Sequence, residues 1–469
     1  MRIALINTNR MRPPIAPIGL EYVAEAMHAA GHDVVVLDLC WEDDWRAAMV
    51  RFFAGPEFEL VGLTLRNTDD CGVLSRQSFL PDFAEMVREL RTRTAAPLVV
   101  GGVGFSVMPE RVLERVGADV GIWGEGEFAL AEFARSLETG GDGRDVPGLI
   151  WKRDGAWVRN PPTFIDLAQL PRMTRRWFDN PRYFREGGQG GFETKRGCPN
   201  PCIYCADPVA KGQFVRLRPP AAVADEIECL LALGVDHLHT CDSEFNLVAE
   251  HVAEVCREMV RRGLGARLRW YAYCAPVPFG PDLARLMREA GCEGINFGAD
   301  SGDAAMLRRL RRGYTPDDIV RAVDACRLAG ITTMLDLLLG APGETRASLV
   351  NTVRLMKQAA PDRVGVSFGV QVYPGTELAA MVQTPELKAG VISAGDADLP
   401  PAFIAPAVAD DGYAILDAEI AGDERFLFFD PRRTDTNYNY NANQRLVDAI
   451  KVGHRGAYWD ILRRLAAGG

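Results

Sequence analysis

Short apolar runs alternate with amphipathic stretches from the first residues onward. Arg2–Asn7 reads as a strand. Residues 17–30 read as a helix, with Leu20, Val23, Ala24 and Met27 along one face and Gly31 to end it. Further strands are expected at 32–39, 60–65, 97–101 and 118–123. Strands separated by helices of about 10–15 residues indicate a parallel doubly wound sheet, whose ligands lie beyond the carboxyl ends of the strands. Those ends are Asn7 and the residues after it, Arg66 with Asn67, the run Gly101, Gly102, Gly104, Phe105, Ser106, and the run Gly124, Glu125, Gly126, Glu127. Glycine lets a backbone approach a bulky ligand closely. It equally well makes tight turns between strand and helix, and both readings stand at this point. The nucleotide-binding GxGxxG pattern is absent.

A second alternating series follows. Helices are expected at 221–232, 249–262, 281–290, Pro316–Ala329 and 345–358, and strands at His237–Thr240, 268–273, 294–297, Thr332–Leu339 and 364–370. This is the pattern of a parallel partial (β/α) barrel, in which reactive groups gather at strand carboxyl ends. Asp242 and Glu244, Tyr271 and Tyr273, and Asp300 with Ser301 fall there. Each has a plainer reading: the acids as structural groups, the tyrosines as core. After Thr384 the pattern weakens into loops at 390–406, a strand at 425–429, a solvated turn at 437–443 and one or two helices over 444–467.

Composition narrows the class. The chain has 469 residues, 48% hydrophobic and 25% charged, which excludes disordered, collagen-like and coiled-coil proteins. At roughly 150 residues per domain, two to four domains are expected. The net charge of -10, from 53 basic and 63 acidic residues without a long basic run, argues against bulk nucleic-acid binding. No stretch approaches the ~20 apolar residues that cross a bilayer. The start reads as a strand rather than a signal peptide, and a cytoplasmic location is expected.

The eleven cysteines are too sparse for a disulfide scaffold and odd in number. Three of them, Cys198, Cys202 and Cys205, stand at Cys-x3-Cys-x2-Cys spacing. A short loop of this kind wraps three thiolates around an iron–sulfur cube and leaves one iron open. Zinc would want a fourth ligand at close spacing. Its candidates, Cys229, His237 and His239, lie well downstream. The remaining cysteines read as small buried hydrophobes, and Cys274, at a strand end, is the one of them that could reach a site.

The cysteine spacing, with Tyr204 directly before Cys205, resembles the signature of the radical SAM superfamily. Pro17-Ile-Gly-Leu-Glu-Tyr, the Gly101 run and the Gly124 run resemble the cobalamin-binding domain that precedes radical SAM domains. The resemblance implies cobalamin-dependent radical SAM enzymes, a group that includes the tryptophan 2-C-methyltransferase subfamily. It implies a Rossmann-like cobalamin domain (1–150), a linker (151–189), a radical SAM partial TIM barrel (190–384) and a C-terminal capping domain (385–469). It implies three cofactors: a 4Fe-4S cluster on Cys198, Cys202 and Cys205, S-adenosylmethionine and cobalamin. Asn7, Arg66, Asn67 and the two glycine runs would surround cobalamin. Tyr204, Asp300 and Ser301 would meet S-adenosylmethionine, with Asp in place of the commoner Glu.

The cobalt-ligating Asp-x-His-x-x-Gly motif of other cobalamin domains is missing, and His28 and His32 are the only histidines before His237. Arg66 is therefore placed nearest the lower face of cobalamin, with a capping or surface role as its alternative. Arg66, Tyr273, Asp242 and Glu244 are the candidate catalytic groups. The implied reaction moves a methyl group from S-adenosylmethionine, via methylcobalamin, to an unactivated carbon of a small molecule or natural-product precursor, with C2 of tryptophan as the candidate that the subfamily implies. The alternatives are a ring-forming enzyme without methyl transfer and a non-catalytic cobalamin or redox sensor. The expected partners are a small-molecule substrate and an electron donor such as flavodoxin or ferredoxin, with neither nucleic acid nor membrane.

Overall fold

The computed structural model describes residues 1–73, 76–393, 398–428, 440 and 443–467. The first sheet contains β1 (Arg2–Asn7), β2 (Asp33–Asp38), β3 (Leu60–Thr64), β4 (Leu98–Gly101), β5 (Val120–Ile122), β6 (Leu149–Arg153) and β7 (Ala156–Arg159). Their order is β2-β1-β3-β4-β5-β6-β7. The first five strands are parallel, and β6 and β7 add an antiparallel hairpin at one edge. Parallel strands bury both faces and so read as continuous apolar runs. Ile3 and Leu5 face one core and Ala4 and Ile6 the other, all fully buried.

The second sheet is built from β8 (Gly190–Phe192), followed after a two-stranded ribbon of β9 (Lys195–Arg196) and β10 (Arg216–Leu217) by β11 (His237–Thr240), β12 (Arg269–Cys274), β13 (Cys292–Asp300), β14 (Thr332–Leu339) and β15 (Arg363–Phe368). A small antiparallel sheet of β16 (Val370–Gln371), β17 (Val391–Ile392) and β18 (Ala402–Phe403) precedes the last strand, β19 (Phe426–Phe428). All seven strands of the order β8-β11-β12-β13-β14-β15-β19 run parallel. This is the expected open (β/α) barrel, with its main core between strands and outer helices.

The sheets cross two of the expected divisions. The first sheet continues past residue 150 to Arg159, inside the stretch expected to be a linker. The barrel takes β19 from the stretch expected to cap it. The terminal helix Tyr458–Ala467 also sends Trp459 inside the barrel, against Tyr271 and Met334. The 437–443 run lies outside the described residues apart from Tyr440 and Asn443. No described helix is long and apolar enough to cross a membrane.

A buried ion network joins the two halves. Arg175, between the sheets, pairs with Glu21 of the first domain at 2.9 Å and with Glu226 of the barrel at 2.7 Å. Arg218 pairs with the other oxygen of Glu226, and Tyr22 of the first domain donates its hydroxyl to the same carboxylate at 2.9 Å.

Candidate active site

The carboxyl ends of the two sheets face one cavity of about 1000 Å³. From the first domain it is lined by Asn7, Arg66, Asn67, Gly101, Gly102 and the 124–127 run. From the barrel it is lined by Glu193, Tyr204, His239, Cys241 and Tyr273, with Tyr458 and Trp459 from the last helix.

Local sterics explain the glycine run. Gly102 has φ +102, and a Cβ there would stand 2.5 Å from the Leu65 carbonyl oxygen. Gly104 packs its α-carbon against Asn67, where a Cβ would meet the backbone at 2.9 Å. Phe105 fills the space beneath Gly121 and is fully buried. The Ser106 hydroxyl donates to the Gly102 carbonyl at 2.9 Å and accepts from the Gly124 N–H at 3.0 Å. Gly104, Phe105 and Ser106 thus lie behind the cavity wall, holding in place the loops that form it.

Other expected contacts are already partnered. Asn7 is fully buried and donates to Asp38 at 2.8 Å and to the Tyr183 hydroxyl at 2.9 Å. Glu125 pairs with Arg216, and Glu127 with Arg196 at 2.6 Å, so both carboxylates clamp the first domain to the barrel. Gly126 caps the helix Glu127–Glu138. Arg66 differs. Its nearest polar contact is the Met11 sulfur at 3.8 Å, and among the described residues no carboxylate pairs with it. It presents a cation to the cavity.

The cysteine loop sits beside this cavity. Its turn requires Gly197, at φ +86 with a would-be Cβ 2.1 Å from the Phe214 oxygen, and the Cys198 N–H donates to the Gly212 carbonyl at 3.1 Å. Arg312 approaches the loop with its whole fork. Nη1 lies 2.9 Å from Cys202 Sγ, Nη2 lies 3.1 Å from Glu244, and Nε lies 3.2 Å from Asp300. Burial raises all three thiols, Cys205 to about 12, while Arg312 pulls Cys202 back down. Among the described residues no three His, Cys, Asp or Glu side chains converge as ligands of one ion would. A cube offers separate iron corners, so its cysteines need not converge on one point. Glu244 adds a buried carboxylate oxygen, Oε2, that has no hydrogen-bond partner among the described residues. Three cysteines, a cation on one sulfur and a spare anionic oxygen fit an iron–sulfur cluster better than a zinc ion.

Several predicted residues serve as supports. Asp242 accepts from the Thr194 N–H at 2.9 Å, the Thr194 hydroxyl at 2.6 Å and the Lys195 N–H at 3.2 Å, outside the cavity lining. Ser301 is fully buried, with its hydroxyl 3.0 Å from that of Thr352. Asp300 ends β13 at φ +56 and accepts from the Tyr204 hydroxyl as well as from Arg312. A non-glycine residue in that region is uncommon and marks local strain. Asp300 orients Tyr204 and Arg312 from behind the cavity.

The tyrosines divide. Tyr273 lines the cavity with a phenol that burial raises to about 12, whereas Tyr271 donates to Asp460 at 3.0 Å in the interior. The expectation that the scattered cysteines are buried fails at two of them. Cys274 is buried in the core, because alternation on β12 turns it away from the tyrosine face. Cys71 and Cys241 line the cavity instead. The sequence reading also missed Arg312 and the Tyr458–Trp459 floor, and took up His239 only as a distant zinc candidate, since only folding brings these to the site.

Comparison with known proteins fits this geometry. Residues 5–134 match the B12 binding domain and residues 192–356 the Radical SAM superfamily. Together they define the class as a B12-binding radical SAM protein. The tryptophan 2-C-methyltransferase of Streptomyces laurentii is 36% identical, over 80% of this chain and 74% of that protein. The radical S-adenosylmethionine methyltransferase TsrM of Kitasatospora setae, solved with tryptophan and a SAM analog, superposes with a TM-score of 0.90 at 32% identity over 99% of both chains. A second TsrM structure, with cobalamin and a [4Fe-4S] cluster, gives 0.89 at 30% identity over 100% of both chains. The chain belongs to the cobalamin-dependent radical SAM methyltransferase family that includes tryptophan 2-C-methyltransferase.

Proposed function

We propose that this protein methylates C2 of tryptophan, using S-adenosylmethionine as methyl source and holding a [4Fe-4S] cluster and cobalamin. The observation that carries the reading is the single cavity in which the cobalamin-domain loops, the cysteine-loop Tyr204 and an aromatic barrel floor meet. When bound, the cofactors supply the methyl carrier and the redox chemistry. The chain's own residues hold and shield. Cys198, Cys202 and Cys205 would ligate the cluster, with Arg312 neutralising charge at Cys202. Arg66 would help hold cobalamin from the first domain, and a guanidinium has no lone pair to offer its cobalt. That suits transfer of methyl as an electrophile to a nucleophilic indole carbon. Tyr204, Asp300 and Ser301 belong to the S-adenosylmethionine side, the last two acting through their neighbours. Glu125, Glu127 and their arginines fix the domains and exclude water. An external donor such as flavodoxin or ferredoxin would keep the cofactors reduced, and a cytoplasmic setting suits both the donor and the thiols.

The test is reconstitution with iron, sulfide and cobalamin, followed by methyl-labelled S-adenosylmethionine and tryptophan. Labelled 2-methyltryptophan with S-adenosylhomocysteine, and no deoxyadenosine, is the expected outcome. Deoxyadenosine without any methylated product would overturn the reading and favour a ring-forming enzyme.

A further inference from the structure

Outside the cavity the two halves form a second concave surface. It is a groove of about 570 Å³, lined by Met108, Pro109 and Trp123 of the first domain and by Pro208, Val209 and Phe214 just after the cysteine loop. Phe214 is 79% exposed, a large aromatic side chain that the fold leaves uncovered. An exposed aromatic on the rim of an apolar groove is a natural anchor for a partner. The groove backs directly onto the cysteine loop. Gly212 lines it, and the Gly212 carbonyl accepts from the Cys198 N–H at 3.1 Å. The Phe214 backbone packs on Gly197, the turn that opens the loop.

Charge around the groove runs against that of the chain, whose net charge is -10. Helix Pro109–Val116 and the β6–β7 hairpin carry five cations, Arg111, Arg115, Lys152, Arg153 and Arg159, against three acids, Glu110, Glu114 and Asp154. Arg111 and Arg159 line the groove together with Glu110. Arg159 is held over the Trp123 ring at 3.6 Å and pairs loosely with Glu110 at 3.4 Å. Among the described residues no carboxylate pairs with Arg111. An acidic protein is repelled by most of this chain's surface and drawn to this part of it.

We propose that this groove docks the external electron donor, a small acidic one-electron redox protein. This rests on the donor invoked in the reading above. The reduced donor loses one electron and the enzyme's cofactors gain it, with no bond broken and no proton moved. Electron transfer falls off steeply with distance, so the donor must dock on a face that backs the cysteine loop. Electron-transfer partners bury less than about 1,200 Å², and a small apolar patch ringed by charge suffices.

The test measures binding of a bacterial flavodoxin to the cofactor-loaded protein by microscale thermophoresis, at low and at physiological salt. Phe214→Asp should weaken binding roughly tenfold, and Arg111→Glu roughly three- to tenfold with a flatter salt dependence. Leu328→Asp alters an equally exposed apolar residue, 81% accessible on the helix Pro316–Ala329, and should bind as wild type does. Turnover driven by a chemical reductant should be unchanged in Phe214→Asp, while turnover driven by flavodoxin falls. Should Phe214→Asp lose iron, Arg111→Glu, which lies on the other domain, decides the matter. Variants that bind flavodoxin as tightly as wild type would overturn the proposal, as would equal loss in Leu328→Asp. A wild type that binds neither flavodoxin nor a ferredoxin also overturns it. A wild-type dimer that Phe214→Asp splits, with flavodoxin binding intact, would give the groove to a second copy of the chain instead. Flavodoxin bound as expected, with no 2-methyltryptophan formed under any reductant, would sink the tryptophan reading and leave the docking surface standing.

Discussion

Glu226 offers the sharpest test of how the two halves are held together. Its carboxylate is 1% exposed and takes charged bonds from Arg175 and Arg218, which are 0% and 3% exposed, besides the Tyr22 hydroxyl. Glu226→Gln keeps the shape and one acceptor oxygen, but turns an N–H2 group toward one of the guanidiniums. Arg175 then keeps Glu21, and Arg218 keeps the Glu193 carbonyl at 2.8 Å. Breaking one side of a buried ion pair costs about 3–5 kcal/mol. For an unfolding unit of 150–250 residues that lowers Tm by about 10 °C. Differential scanning fluorimetry measures the shift, and limited proteolysis should show faster cleavage between residues 160 and 190. A variant that melts with wild type and resists protease equally would refute the view that this network clamps the domains.

The pH dependence carries a sign that checks the same reasoning. Burial raises the pKa of Glu226, but Arg218 and Arg175 together outweigh it, so the folded value is depressed. A depressed carboxylate contributes stability above its unfolded pKa, about 4.3, and loses it as pH falls through the folded value. The gap between wild type and Glu226→Gln should therefore be full at pH 7 and shrink below about pH 4. A constant gap down to acid would mean that lost packing, rather than lost charge, explains the variant.

Three further outcomes follow from the site. Gly104→Val puts carbons into the Asn67 backbone and must displace the loop that carries Arg66. Cobalamin retained through gel filtration, read by its absorbance, should fall severalfold while the circular dichroism spectrum is kept, and full retention would contradict the role given to that glycine. Arg312→Met removes the cation beside Cys202 and leaves Glu244 and Asp300 uncompensated. Iron per chain after reconstitution should drop, and an unchanged iron content would count against the guanidinium as a cluster support. Cys241→Ala changes a thiol that opens into the cavity but lies outside the cysteine loop. It should keep the full iron content, whereas loss of iron would make Cys241 a ligand.

What the sequence could and could not disclose follows from how each residue reaches its place. The parallel strands were legible because burial on both faces demands unbroken apolar runs, and Thr332–Leu339 was found with its observed limits. The edge hairpin β6–β7 was not, since an edge strand keeps exposed polar residues such as Lys152 and Arg153. β8 is three residues long and starts with two glycines, and Gly191 is small because Cys241 Sγ would stand 3.0 Å from a Cβ there. Neither carries a strand's usual mark. The cysteine loop was legible because its ligands come from one short stretch of chain. Arg312 and His239 come from distant strands and loops, and no local spacing announces them.

The misplaced polar residues have a common cause. Asp242 and Ser301 sit just past strand ends and Ser106 in the short helix that follows one, where a ligand contact and a loop staple need the same chemistry: a short polar side chain beside turning backbone. Sequence locates such groups at the site but leaves open which way they face. The register of the strand and the room around the loop decide that. Within a single glycine run they send Gly101 and Gly102 to the cavity and Gly104, Phe105 and Ser106 behind it.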